Sequence, residues 1–180
     1  MSHKKHPEGV AIIPTLWAPW RLDYIKSVAD GPTECFLCDN ARQPDRDREH
    51  LVLHRGAFGM LLMNKYPYVN GHLLVASYQH GSDLLHLPTE VRAELLELVA
   101  LGQQLLTQVV NPQGFNIGIN QGRCAGAGVP GHLHLHIVPR WNGDVNFMSV
   151  VGGVRVIPQA VEVTYAALWA EMEKLNAKGR

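Results

Sequence analysis

The sequence of 180 residues has three cysteines, no long hydrophobic run and no excess of either charge, and each shortage excludes something. Cys35, Cys38 and Cys124 are too few to frame a disulfide-stapled secreted domain, so the fold must rest on its own core. In a reducing compartment the Cys35–Cys38 pair reads as thiolates for a metal or for redox work. Sixteen basic residues balance sixteen acidic ones, which leaves no net field to draw the chain to nucleic acid or anionic lipid. Lys4, Lys5 and His6 form a short basic cluster that reads as a solvated tail. No apolar run approaches the ~20 residues needed to span a bilayer. The start, Met1 to Glu8, is too polar for a secretory leader, so a cytoplasmic protein is expected. What is present is a hydrophobic content of 46%, enough for one ordinary domain with a real core.

Hydrophobic patterning predicts an α+β fold. Val52 to His54 and Phe58 to Asn64 read as strands around a turn at Arg55-Gly56, and His72 to Ser77 as a third. Phe115 to Gln121 and His132 to Arg140 read as two more, flanking a glycine-rich loop. A long helix is expected from about Glu90 to Val110, N-capped by Thr89 and stopped by Asn111-Pro112. Gly102 lies on its apolar face, where it permits close packing. A second helix, Gln159 to Asn176, should turn Val161, Tyr165, Leu168, Trp169, Met172 and Leu175 inward. Asp39 to Glu49 is charged, contains Pro44, and reads as a loop. The organisation expected is an aromatic extension over 1–34, a domain over 35–158 and a C-terminal helix over 159–180 packed on it. Hairpin-joined strands favour an antiparallel sheet of about five strands over a doubly wound one.

Residues 131 to 140 read Gly-His-Leu-His-Leu-His-Ile-Val-Pro-Arg. Alternation along a strand puts His132, His134 and His136 on one face and Leu133, Leu135 and Ile137 on the other. Three imidazoles in a row, spaced about 6.6 Å apart, are costly to bury without partners and imply a working face. One reading is metal ligation; the other is a nucleophilic middle histidine whose neighbours fix its tautomer. Gly122 to Gly131 (GRCAGAGVPG) leads into the row, and such a loop lets backbone N–H groups approach a phosphate closely. Together these favour phosphate chemistry.

The segment His132-Leu133-His134-Leu135-His136-Ile137-Val138 resembles the signature of the histidine-triad superfamily. Asn64-Lys65-Tyr66-Pro67, Gly71-His72-Leu73-Leu74-Val75, His80 and Phe115 to Gln121 extend the resemblance over roughly Cys35 to Arg140. Leu16-Trp17-Ala18-Pro19-Trp20-Arg21, Ala125-Gly126-Ala127-Gly128 and Arg140 to Met148 are similar to the bacterial diadenosine tetraphosphate phosphorylase branch, also called ATP adenylyltransferase-like. The resemblance implies a homodimer in which His134 forms a covalent nucleotidyl intermediate at the α-phosphorus. It implies His136 and loop N–H groups as charge stabilisers, Gln121 against the phosphates, Asn64 at the ribose, and apolar base contacts near Leu61 to Met63. Gly126 and Gly128 suit the phosphate loop, and Lys65 is within reach of a phosphate. Many triad hydrolases carry Ser or Thr three residues before the first histidine; here it is Val129, which weighs against a nucleoside phosphoramidase. A hydrolase, an AMP-binding regulatory module and a metal protein using all three histidines are the other readings.

Cys35-Phe36-Leu37-Cys38 is a C-x-x-C knuckle, half of a zinc site. The resemblance supplies His80 and His132 as the other half, a closed structural zinc. Reduced packing cysteines, or a redox pair opening a helix, are the alternatives; the sequence gives no clear sign of that helix. Cys124 fits no ligand set. His72 reads as a sheet residue and Trp141 as packing.

Overall fold

The computed structural model describes residues 35–144 and 159–178. The aromatic extension expected over 1–34 and the part of the domain at 145–158 lie outside the described residues.

Among the described residues three α-helices and five strands follow one another as α1 (Phe36–Arg42), β1 (Val52–Arg55), β2 (Gly59–Met63), β3 (Leu73–Ser77), α2 (Thr89–Val110), β4 (Gly114–Ile119), β5 (His134–Arg140) and α3 (Val161–Lys178). The strands form a single antiparallel sheet in the order β1-β2-β3-β5-β4. This is the α+β architecture the patterning predicts.

Alternation gives the sheet two different faces. Leu61, Met63, Leu73, Val75, Leu135 and Ile137 pack under α2 and α3 with Leu95, Leu98, Leu105, Leu168 and Met172. Gly102 explains how closely α2 approaches: a Cβ there would meet Ile137 Cδ1 at 2.6 Å and Leu61 Cδ1 at 3.1 Å. Trp141 packs as expected, donating from Nε1 to the carbonyls of Val110 and Asn111 at the end of α2. On the opposite face Leu37 of α1 covers Val52, Met60, Leu62, Leu74 and Ala76. His136 lies across from Leu74 and His134 across from Ala76, so both share that second face.

Most boundaries shift from the sequence reading by one or two residues, and three differences bear on the packing. Thr89 is the first residue of α2, and Pro88 precedes it as the cap position. Part of the expected loop is helix, because Arg55 donates to the carbonyls of Asn40 and Ala41 at the end of α1 while pairing with Asp47. β5 begins at His134, because the amides of His132 and Leu133 go to Val129 and Gly81 instead of to a strand partner.

Candidate active site and metal cluster

His134 and His136 stand side by side at the start of β5, ring centroids 4.9 Å apart and tilted by 64°. Both are buried. Their protonation can be read from partners whose roles are fixed. Nδ1 of His134 lies 2.9 Å from the main-chain carbonyl of His132, which can only accept. His134 therefore carries its proton on Nδ1 and leaves the Nε2 lone pair free. Burial, with the His132 charge, pushes its pKa below the ordinary histidine value, so the ring is neutral at pH 7.

A second chain of contacts fixes His136. The Tyr68 amide donates to Nδ1 of His72 at 3.1 Å, so that nitrogen is an acceptor. Asn64 faces the same atom with its amide nitrogen at 3.2 Å, its oxygen being taken by the Tyr66 N–H. His72 then carries its proton on Nε2 and donates to Nδ1 of His136 at 2.9 Å. The remaining proton of His136 must sit on Nε2, a buried donor with no partner among the described residues. Burial first, then the neighbouring imidazoles, holds His72 down to about 3 and His136 to about 4. One ring thus offers a lone pair and its neighbour a proton, which suits attack on an electrophile that accumulates negative charge.

His132 has a different allegiance. Its Nε2 donates to the Ser77 carbonyl at 2.9 Å, turning the Nδ1 lone pair towards Cys35 Sγ at 3.3 Å and Cys38 Sγ at 3.4 Å. His80 brings its own Nδ1 to 3.2 Å from Cys38 Sγ. These four donor atoms lie within 4.8 Å of one another. A zinc tetrahedron with bonds of about 2.3 Å to sulfur and about 2.0–2.1 Å to nitrogen separates S and N by roughly 3.5 Å, so the cluster fits that ion. Burial opposes the Cys35 thiolate, but contacts with His132 and with the Cys38 amide outweigh it and bring the pKa to about 6. Cys35 caps α1, so the C-x-x-C does open a helix, contrary to the sequence reading. Cys124 is exposed and takes no part.

The profile of the HIT domain matches residues 48–143. A Mycobacterium tuberculosis protein named AP-4-A phosphorylase is 38% identical over 164 residues, covering 87% of this chain and 83% of that protein. The chain belongs to the histidine-triad (HIT) family. Among solved structures, a Zn-bound histidine triad family protein from Mycobacterium smegmatis aligns with a TM-score of 0.64 at 25% identity. The alignment covers 82% of this chain and 99% of that one. A histidine triad nucleotide-binding protein from Sulfolobus tokodaii aligns at 0.62 and 27%, covering 79% and 94%. The sheet and helices described above are thus a HIT fold.

Within that HIT fold, the residues singled out from the sequence divide into three groups. His134 and His136 meet at the site, with Asn64 joined to His136 through His72, and Cys35, Cys38, His80 and His132 meet in the cluster. Lys65 is exposed on the loop after β2. Gln121 is exposed and turns its amide to Asp83 at 3.4 Å. Gly126 sits at φ +83° with its N–H given to the Arg123 carbonyl, so its amide is committed within the loop; Gly128 lies two residues on. Leu61 and Met63 belong to the helix-covered core, so only Leu62 of that trio lies on the histidine side. Arg140 forms an ion pair with Asp144.

Two residues escaped the sequence reading. His72 is fully buried and links Asn64 to His136. Leu74 lies directly opposite His136 on the β3–β5 ladder, and counting back two positions from Leu74 places His72 on the triad face. Asn120 is the other. Gly118 pairs with His136, so continued alternation brings Asn120 to the histidine face, and its amide reaches the Gly126 carbonyl at 3.5 Å.

No helix among the described residues is long and apolar enough to cross a membrane.

Proposed function

We propose that this enzyme transfers a nucleotidyl group from diadenosine tetraphosphate to inorganic phosphate through a covalent nucleotidyl–His134 intermediate. The observation that carries the reading is the pair of opposite tautomers: His134 with a free Nε2 lone pair, His136 with an unpartnered Nε2–H beside it. The 38% identity to a protein named AP-4-A phosphorylase supports the substrate.

In the first half-reaction His134 Nε2 forms a bond to the α-phosphorus and the bond to the bridging oxygen breaks, releasing ATP. The Nδ1 proton stays on the ring, where the His132 carbonyl stabilises the positive charge that develops. His136 Nε2–H donates to a phosphoryl oxygen as charge accumulates there. In the second half-reaction a phosphate oxygen displaces His134 and forms ADP. Asn64 is assigned to the ribose and the Gly126–Gly128 segment to the phosphates, Gly126 by the room its missing side chain leaves, since its amide is given to the Arg123 carbonyl. Asn120 takes the position first given to Gln121, and Lys65 meets the distal phosphates.

Cys35, Cys38, His80 and His132 would hold a structural zinc, which lends rigidity to α1 and the start of β5 without opening a coordination position. The zinc bound by the 25% identical Mycobacterium smegmatis neighbour supports that ion. The exposed Ile117 on edge strand β4 supports a homodimer. A cytoplasmic location keeps the thiolates reduced.

The test incubates the protein with diadenosine tetraphosphate, with and without phosphate, and separates the products. ADP plus ATP formed only with phosphate is the expected result. AMP plus ATP regardless of phosphate makes the enzyme a hydrolase. No turnover, and no difference between wild type and His134→Ala, leaves an AMP-binding module.

A further inference from the structure

We propose that Tyr68 is a positioning residue for the reaction, its ring plane setting the direction in which His136 presents its Nε2–H. The inference rests on the donor role given to His136 above.

His136 is held at one point by a hydrogen bond, from His72 to its Nδ1. One such bond fixes the line between the two nitrogens but leaves the imidazole free to rock about it, because the terminal torsion of a histidine is broad. Rocking swings Nε2, on the far side of the ring, through the largest arc. A flat neighbour stacked on the ring face removes that freedom. Tyr68 supplies it: its ring lies 5.8 Å from His136 at an interplanar angle of 23°, the flattest pair in the group. The same ring lies 4.5 Å from His72 at 33°. His72 and His136 are 5.1 Å apart at 37°, so one tyrosine face backs both members of the hydrogen bond. On the other flank His134 meets His136 edge-on.

Tyr68 also donates its amide to His72 Nδ1, which fixes the tautomer from which the relay starts. Backbone and side chain therefore do separate work. The amide sets which atoms carry protons, and the ring sets where His136 points. A substitution of the side chain keeps the first and removes the second, so the inference can be isolated. A shift of about 1 Å at a catalytic group can cost up to about 100-fold in rate. A rocking donor that visits the right position part of the time costs less.

Tyr68→Phe keeps the plane, whereas Tyr68→Leu and Tyr68→Met fill the space without one. Expected for Tyr68→Leu is a fall in kcat of about tenfold with KM within about twofold, since the donor acts mainly as charge develops. Tyr68→Phe should stay within about twofold of wild type in both. Long-range ¹⁵N correlation spectra of the substrate-free protein give an independent readout. All three should show His136 as the Nε2–H tautomer, with its ring resonances broadened by rocking in Tyr68→Leu and sharp in wild type and Tyr68→Phe. Tyr68→Met, being more adaptable, replaces Tyr68→Leu should the latter fail to fold. Wild-type kcat and unbroadened His136 ring resonances in a folded Leu or Met variant would overturn the proposal. So would a Phe variant as slow as the Leu variant, because the plane is then not what matters. Because the spectra need no substrate, an inactive wild type would sink the nucleotidyl-transfer reading while the effect of Tyr68 on His136 is still measured.

Discussion

Removing the His72 imidazole should disarm His136 without touching the nucleophile. In His72→Ala the Nδ1 of His136 loses the donor 2.9 Å away that makes it an acceptor. Nothing then holds the proton on Nε2, and the ring can present a lone pair where a phosphoryl oxygen needs a donor. Loss of one preorganised donor costs about 10²–10³ in kcat, or about 2.7–4 kcal/mol of transition-state stabilisation. The fold also suffers, because the Tyr68 amide and His136 Nδ1 lose their partner in a fully buried place and a cavity remains. About 2–4 kcal/mol of stability should go with it. The two losses separate by assay. Single-turnover release of ATP, measured well below the melting temperature, reports the chemical step; calorimetry reports the fold. His72→Gln provides the control, since an amide nitrogen can still donate to His136 and should recover part of the rate. A folded His72→Ala protein that releases ATP within about threefold of wild type would refute the relay, because His136 would then be holding its tautomer unaided.

Three further outcomes follow from the same geometry. Acid should destabilise the fold: the pKa of His136 is about 4 when folded against 6.5 as a free side chain, so the unfolded chain binds the extra proton between those values. Stability from this group is intact above pH 6.5 and falls by about 3 kcal/mol by pH 4, and a urea midpoint that does not move across this window contradicts the burial argument. Cys35→Ser should release bound zinc to a chelating dye while His134→Ala retains one ion per chain; loss of zinc from His134→Ala instead would make the triad itself the metal site. Glu94 accepts the amides of Ala57, Phe58 and Gly59 at 2.7–3.1 Å, so Glu94→Ala should cost about 1–3 kcal/mol by thermal melting with little effect on KM.

What could be read from the sequence was whatever one element determines alone. A twofold alternation names the faces of a strand, and a 3.6-residue period names the buried side of α2, so the sheet, the long helix and Gly102 were legible. The cysteine pair and the histidine row were legible for the same reason, since each is a local pattern. What escaped depends on pairing between distant segments. His72 is invisible as a site residue until β3 is set against β5, because only that register brings its Nε2 to His136. Gln121 came from the resemblance, and Asn120 went unnoticed because the phase of β4 is undefined until Gly118 is found opposite His136. Helix α1 hid behind a charged segment whose Arg55 partner lies on the next strand.

The histidine row itself shows why a repeat in sequence need not be a repeat in function. An imidazole has two nitrogens, and whichever atom takes the first decides what the second can do. For His132 a carbonyl takes Nε2, and Nδ1 is left to the sulfurs. For His134 a carbonyl takes Nδ1, and Nε2 is left as a nucleophile. For His136 an imidazole donor takes Nδ1, and Nε2–H is left as a hydrogen-bond donor. Three identical side chains thus become ligand, nucleophile and hydrogen-bond donor because β3, the preceding turn and His72 each present a different partner. His132 joins the two centres, since its ring faces the cluster while its carbonyl holds the nucleophile. Replacing it should therefore damage both metal retention and nucleotidyl transfer, whereas replacing His80 should damage the first directly and the second only through the displaced His132 backbone.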